Sequence, residues 1–425
     1  MIPSTSPPEA YASDLARLNR SGPLGPNDDS WLTLAHALSR FASLPEHELL
    51  LALPNVADAM AVSAVTAGLS AQAPVLRCAR ALRALNEPIV MPSGHAPIAE
   101  LFFATQSVAE EQELAGAFGL AYATLSGLLR AFGSRASLRA QGTVLAQTGR
   151  AVRQLGLTEL AQEYYEEAMS VGYECDALDV VARALLGIGV LALTRGNYPK
   201  AHEQFERALV NAERATDPEM IRSSHHGLMN CSIASGDLDS ALVHGWNVLR
   251  LCIAPESRAE ALLNMAEICR LTGEHDAAIR VYSVAMEWTS QPRVRVYAVS
   301  GALLSAVKLK RGKDATRLVA ELEEHLRTMP DMYACATLGL ELAEALHELG
   351  DIPAARRRLD AARTLAEEQS FHEVVHRASE TDKLWRSSSQ AAAPMFDAPE
   401  KRVRRSGPFR MVLRSLKGLT TAATQ

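Results

Sequence analysis

The chain has 425 residues, of which 48% are apolar and only 5% aromatic, and its formal net charge at pH 7 is −6. This small negative charge argues against a nucleic-acid-binding surface along the whole chain, which would need an excess of basic residues. The longest apolar stretch, residues 185–193, is shorter than the about 20 residues that a membrane-spanning helix needs.

The cysteines and the N-terminus predict a reducing, cytoplasmic location. The six cysteines are widely spaced and form no C-x-x-C pair, which favours buried thiols over disulfides or metal ligands. Residues 1–29 have neither a basic segment nor an apolar core of the kind that a secretory signal requires. Their proline-rich composition predicts a flexible N-terminal arm.

Residues 30–133 show helical periodicity without a clear repeat. They are either degenerate copies of the repeat that follows or a separate helical cap, and we favour degenerate copies, because a repeat array must cover the apolar face of its first unit.

A short phrase recurs six times between residues 134 and 386. A glycine is followed, mostly five residues later, by an alanine, then an aromatic residue or leucine, then another alanine. These glycines recur at intervals of 40, 40, 37, 39 and 38 residues; they are Gly156, Gly196, Gly236, Gly273, Gly312 and Gly350. In the second copy Ala201, Phe205 and Ala208 lie on one face of a helix. Such a period predicts an all-α array of stacked helical hairpins.

The array resembles the tetratricopeptide repeat (TPR) over roughly residues 137–370. Four copies carry the pattern of a small residue in the first helix and a small, a large and a small residue in the second: Gly149, Ala161, Tyr165 and Ala168; Gly189, Ala201, Phe205 and Ala208; Ala266, Ala278, Tyr282 and Ala285; Ala343, Ala355, Leu359 and Ala362. The third copy is degraded, and the fifth has Arg317 where the alanine belongs. The resemblance implies a right-handed superhelical solenoid whose first helices line a concave wall.

Projecting the family pattern onto this sequence places twelve polar residues on that wall: Arg150, Arg153, Arg183, His226, Asn230, Glu260, Asn264, Glu267, Arg270, Glu341, Glu344 and His347. The early part of the wall is basic and the late part mostly acidic, which favours an extended peptide or a helix of complementary charge. The alternative is that these residues are only the solvated faces of amphipathic helices.

One segment, His372-Glu373-Val374-Val375-His376, matches the H-E-x-x-H spacing of zinc peptidases, in which two imidazoles bind the metal and the glutamate acts as general base. The sequence around it favours a terminal capping helix. Ser370 and Glu373 have the spacing of a capping box, and mostly linker and basic tail follow. We therefore predict no metal, no cofactor and no catalytic residue.

Residues 387–425 are predicted to be a linker and a basic tail. From residue 398 onward the net charge is +6, and Phe409, Val412, Leu413 and Leu416 form one helical face, with Arg410, Arg414 and Lys417 on another. This pattern is typical of a helix that makes weak contact with an anionic membrane or docks on a partner. A solvated tail and a tail folded back on Glu341 and Glu344 are the alternatives.

Taken together, these features predict a non-enzymatic scaffold that binds a protein or peptide on its concave wall. A regulatory sensor, whose array binds a peptide or small ligand to control a partner, is the second hypothesis, and a zinc peptidase a minor third.

Overall fold

The computed structural model describes residues 28–41, 44, 46–70, 72–85, 97–390 and 405–422. Within these residues the chain forms nineteen α-helices and no strand, as predicted. The helices are α1 (Asp28–Phe41), α2 (Glu46–Thr66), α3 (Pro74–Ala84), α4 (Pro97–Leu114), α5 (Phe118–Phe132), α6 (Leu138–Gln154), α7 (Thr158–Glu174), α8 (Leu178–Thr194), α9 (Tyr198–Arg214), α10 (Pro218–Ala234), α11 (Leu238–Leu251), α12 (Pro255–Leu271), α13 (His275–Trp288), α14 (Pro292–Lys308), α15 (Gly312–Thr328), α16 (Met332–Glu348), α17 (Ile352–Glu368), α18 (His372–Gln390) and α19 (Gly407–Ala422).

The turn inside each hairpin shows why the repeat phrase begins with glycine. Gly196 has φ +72°, a left-handed conformation that glycine adopts without steric cost. Its N–H donates to the carbonyl of Leu193 at 3.0 Å, and the N–H of Asn197 donates to Ala192 at 2.9 Å, which closes α8 in a Schellman motif. The Asn197 side chain then accepts the N–H of Lys200 at 3.2 Å and starts α9.

The small and large positions of the repeat pack as the resemblance implies. Ala201, Phe205 and Ala208 of α9 are each 0% exposed, and α9 packs along α8. Tyr165 and Tyr282 occupy the equivalent position of Phe205 in α7 and α13 and are also buried. The fold is therefore an array of tetratricopeptide-like helical hairpins, and the predicted fold class is confirmed.

The fifth copy is phased differently from the prediction. Gly312 does not form its turn but begins α15, and the left-handed residue is Lys310, with φ +54°. The small residue five positions later is then Ala315, which is 0% exposed, and not the predicted Arg317. The phrase slips by two residues because a non-glycine residue tolerates the left-handed turn here, at a modest cost.

The helices before residue 133 share the turn but not the whole phrase. Gly116 has φ +75° between α4 and α5, and Ala121, five residues later, is 0% exposed. The first helix departs from sequential stacking, because α1 packs on α5, with the rings of Phe41 and Phe132 edge to face at 6.1 Å. The assignment of residues 30–133 as degenerate repeats stays a prediction, as do the predicted region boundaries at residues 29 and 133.

The chain divides into two compact units, residues 1–227 and 228–425. In the first unit the first helices α4, α6 and α8 pack side by side. In the second unit α12, α14, α16 and α18 form the corresponding row, and we call their exposed side the first-helix face of this unit.

The C-terminal part differs from the prediction in two ways. The helix α18 continues through residues 387–390, which we predicted to open the linker. Ser370 does not cap it: with φ +59° this residue ends α17, because its N–H donates to Glu367 at 3.2 Å and the next N–H, of Phe371, donates to Ala366 at 2.8 Å. The predicted capping box with Glu373 is therefore wrong.

The basic tail also lies elsewhere than expected. Residues 405–422 include the helix α19, which packs on the second helices α11 and α13 of the same unit, and not on Glu341 and Glu344 of α16. The segment 391–404 lies outside the described residues, as does the arm before residue 28. Among the helices that the structure describes, none combines the length and apolarity needed to cross a bilayer.

Candidate functional site

The predicted wall residues lie on first helices, and all but one are half-buried. Arg150 and Arg153 belong to α6, and Arg183 to α8; His226 and Asn230 belong to α10; Glu260, Asn264, Glu267 and Arg270 belong to α12; Glu341, Glu344 and His347 belong to α16. Glu260 is exposed. The structure places three of its charged members, Arg153, Glu267 and Arg270, beside tyrosines that the sequence analysis assigned only to packing.

In the first unit a tyrosine passes between two glycines to reach the first helices. A Cβ on Gly149 of α6 would lie 2.8 Å from the Tyr165 ring, and a Cβ on Gly187 of α8 would overlap the same ring. The missing Cβ atoms leave a passage, so the phenol end of Tyr165 reaches the side chain of Arg153. Burial raises the pKa of the Tyr165 hydroxyl above its ordinary value.

The basic part of the wall is partly neutralised within the unit. Arg150 Nε lies 2.7 Å from Glu113 Oε2 of α4. Burial raises the pKa of Glu113, although the guanidinium of Arg150 opposes that shift. An early wall built from Arg150 and Arg153 therefore presents less free positive charge than the sequence suggests.

A tyrosine also passes a glycine in the second unit, where its hydroxyl contacts a carboxylate. The ring of Tyr282 from α13 lies so close to Gly301 of α14 that a Cβ there would overlap it. The Tyr282 hydroxyl donates to Glu267 Oε2 at 2.7 Å, and Arg270 donates to the two carboxylate oxygens from Nε at 2.8 Å and from Nη2 at 2.5 Å. Burial alone would raise the pKa of Glu267, but the bonds from Arg270 and Tyr282 outweigh it and lower the pKa.

The two carboxylates on α16 have weaker compensation. Ser300 Oγ of α14 donates to Glu341 Oε2 at 2.5 Å, and Thr381 Oγ1 of α18 lies 3.5 Å from Glu344 Oε1. Burial raises the pKa of both glutamates, and the positive charge of Arg377 on α18 opposes the shift without cancelling it. These carboxylates are held half-buried with hydroxyl partners, which leaves them suited to accept a cationic or hydrogen-bonding group.

A pair of stacked rings continues the row on α16 and α18. The imidazole of His347 stacks on the indole of Trp385, with ring centroids 4.2 Å apart and planes 9° apart. Burial lowers the pKa of His347, so it is neutral at pH 7. The first-helix face of the second unit thus runs from an ion pair on α12, across two half-buried carboxylates, to a neutral aromatic stack.

We expect Glu341→Gln to stabilise the protein at neutral pH. A carboxyl whose pKa is raised by folding favours the native state below its ordinary pKa, and this contribution is lost as the pH rises through the folded pKa. The glutamine keeps an acceptor for Ser300 but has no charge to desolvate. Thermal unfolding should show a higher midpoint for the variant at about pH 7.5 and a smaller difference at about pH 4.

The matched control is Glu348→Gln on the same helix. Glu348 is exposed and pairs with Lys308 at 2.9 Å on the surface, so its replacement should change stability by less than about 1 kcal/mol at either pH. A pH-independent effect of Glu341→Gln would contradict the assignment of a desolvated carboxylate.

The H-E-x-x-H segment forms the first turns of α18 with its polar side chains in solvent. His372, Glu373 and His376 are exposed, whereas Val374 and Ala378 face the core. Within the described part of the chain, no three His, Cys, Asp or Glu side chains are grouped so that they could hold a metal ion. Glu400, which would be a candidate third ligand, lies outside the described residues.

The sequence reasoning found four of the charged residues on the first-helix face of the second unit, Glu267, Arg270, Glu341 and Glu344, but missed their partners. Tyr282 was assigned to packing alone, and Ser300, Arg377 and Thr381 were not singled out. The signal that could have found these contacts is a glycine in the first helix that follows the tyrosine. Gly301 of α14, which follows Tyr282 of α13, leaves room for the tyrosine ring to pass between the helices.

No protein-family model and no curated protein matches the chain. Solved structures do resemble it at low identity. A Rap protein complexed with competence and sporulation factor is 13% identical, with a TM-score of 0.47 over 80% of this chain and 99% of that one. PilF of Pseudomonas aeruginosa is 17% identical, with a TM-score of 0.45 over 59% of this chain and 99% of that one. Aspartyl phosphate phosphatase F of Bacillus subtilis is 11% identical, with a TM-score of 0.47 over 78% and 93%. All three TM-scores are low, and the fold rests on this chain's own turns and helix contacts.

Proposed function

We propose that the protein is a non-catalytic, cytoplasmic interaction scaffold and that it binds a peptide or protein segment on the first-helix face of its second unit. The observation that carries this proposal is the row of polar side chains across α12, α14, α16 and α18. In that row Glu341 and Glu344 are half-buried. The hydrogen bonds described above for these two carboxylates come from the hydroxyls of Ser300 and Thr381.

The chemistry of the row favours a ligand over a purely structural role. A buried carboxylate costs free energy unless a charge or several donors satisfy it. Glu267 meets this condition through Arg270 and Tyr282, and its pKa is lowered. Glu341 and Glu344 do not meet it, and their pKa values are raised. Functional surfaces commonly retain such unfavourable groups because the bound partner supplies what is missing.

Selection from a library of random linear peptides against the full chain tests this proposal. We expect peptides that bind in the micromolar range, and we expect Glu341→Gln to weaken them by at least about tenfold, or 1.4 kcal/mol. Glu348→Gln, which changes an exposed carboxylate about two turns away on the same helix, should leave binding unchanged. Failure to select any peptide, or peptides that bind both variants equally, would place the function elsewhere.

The same variant separates the scaffold from a purely structural network. Glu341→Gln should raise the unfolding midpoint at neutral pH while it lowers peptide affinity, and these opposite effects are expected of a binding site but not of a packing contact. A variant that is both less stable and weaker in binding would indicate that Glu341 serves mainly to hold α14 against α16.

A further inference from the structure

The C-terminal helix α19 lies across the second helices α11 and α13 and buries one face on them. Phe409 and Leu416 are 0% exposed, Val412 is 1% exposed and Leu413 is 8% exposed. These are the residues that the sequence places on one apolar face, so the face is satisfied within the chain. The opposite face, with Arg410 and Arg414, is in solvent.

A set of polar contacts fixes the beginning of α19 in one orientation. Arg405 Nη2 donates to the carbonyl of Thr272 at 2.7 Å, and its Nη1 lies 3.4 Å from Asp239 Oδ1. The other oxygen of Asp239 accepts the backbone N–H of Ser406 at 2.7 Å. The Arg405 guanidinium also lies over the Phe409 ring, 5.2 Å from its centroid. The surface thus recognises an arginine at the start of a helix as well as an apolar stripe.

The outer side of α11 is apolar, as in a surface that docks a helix, whereas the same side of the second helix α9 is polar. We align the two helices on the first alanine of the motif. The exposed residues His202, Glu203 and Glu206 of α9 then correspond to Leu242, Val243 and Trp246 of α11. Leu242 is 0% exposed, and Val243 and Trp246 are partly buried against the core.

The helix α13 shows the same change on its own outer side. Ala277 and Val284, which are 0% and 4% exposed, take the positions of exposed Lys200 and Arg207 in α9. Both helices that contact α19 are therefore apolar on a side that is polar in α9, which is what a surface selected to bind a helix requires.

We propose that the groove between α11 and α13 is a binding site for an amphipathic helix that begins with an arginine, and that α19 is its tethered and displaceable occupant. The contacts of α19 indicate what a partner helix must carry. It needs an arginine to contact Asp239 and the Thr272 carbonyl, followed by apolar residues at the spacing of Phe409, Val412, Leu413 and Leu416.

Two features make α19 displaceable. Its apolar contact is made by one helix face, with Arg405 and Ser406 adding polar contacts only at its start. In the sequence, fourteen residues, 391–404, separate this start from α18. Because α19 belongs to the same chain, it competes intramolecularly, and an outside helix must overcome this competition. The proposal concerns second helices, whereas the peptide site proposed above lies on first helices, and neither depends on the other.

A labelled peptide of residues 405–422 provides the test. Fluorescence anisotropy would be measured with the full chain and with a full-chain variant that carries Phe409→Asp and Leu416→Asp, which prevents its own helix from docking. We expect the peptide to bind the variant at least about tenfold more tightly than it binds the wild-type chain, because the tethered competitor is removed.

Three controls make the result specific. A full-chain variant with Arg410→Asp and Arg414→Asp changes only the solvent face of α19 and should behave as wild type. A peptide with Arg405→Glu should bind the docking-deficient variant at least about fivefold more weakly, because its carboxylate would face Asp239. A scrambled peptide of the same composition should not bind.

Each remaining outcome would overturn the proposal. If the docking-deficient variant stays folded by circular dichroism but does not bind the peptide, the groove is not a helix site. If that variant unfolds, α19 is an integral part of the core and not a displaceable occupant. If wild-type chain and variant bind the peptide equally, the peptide binds elsewhere.

Discussion

Replacement of Ala201 by arginine should destabilise the first unit by about 3 kcal/mol or more. Ala201 is 0% exposed and lies one helical turn before Phe205 on the face of α9 that packs on α8. An arginine there must either carry its charge into the contact without a partner or force the two helices apart, and both are costly. The midpoint of urea-induced unfolding should fall accordingly.

The neighbouring residue offers a matched control. The His202 side chain is 47% exposed on the same helix, so His202→Arg adds the same side chain to the solvent face. This change should shift stability by less than about 0.5 kcal/mol. Coincident unfolding curves for Ala201→Arg and the parent would show that the hairpin contact is not where the structure places it.

Gly187→Ala should destabilise the same unit by about 1 to 3 kcal/mol, although a glycine-to-alanine change inside a helix ordinarily stabilises it. A Cβ at this position of α8 would overlap the Tyr165 ring from α7, and the ring cannot retreat because Gly149 of α6 holds it from the other side. The sign of the change is therefore the test of the glycine passage.

Two further variants separate this clash from a general effect of glycine. Gly312, at the start of α15, has no atom within 4 Å of an added Cβ, so Gly312→Ala should be neutral or slightly stabilising. In the Gly187→Ala background, Tyr165→Leu should cost less than it does in the parent, because the smaller side chain relieves the overlap. A stabilising Gly187→Ala, or fully additive effects of the two changes, would contradict the passage.

The sequence by itself determined the hairpins, because the signals for them are local. A glycine such as Gly196 that takes a positive φ, a capping residue such as Asn197 three positions before the amide it caps, and alanines two turns apart act within a short stretch of sequence. The register of the fifth copy was nevertheless predicted wrongly, because Lys310 takes the left-handed conformation that glycine has in the other copies of the pattern.

Only the tertiary structure decided what the polar and amphipathic residues face. Glu267 and Glu341 both belong to the predicted wall, yet Arg270 and Tyr282 lower the pKa of the first, while burial between α14 and α18 raises that of the second. The apolar face around Phe409 has the same pattern whether it meets a membrane, a partner or its own chain. The groove that receives it is built from α11 and α13, more than a hundred residues earlier, and no local pattern encodes that distance.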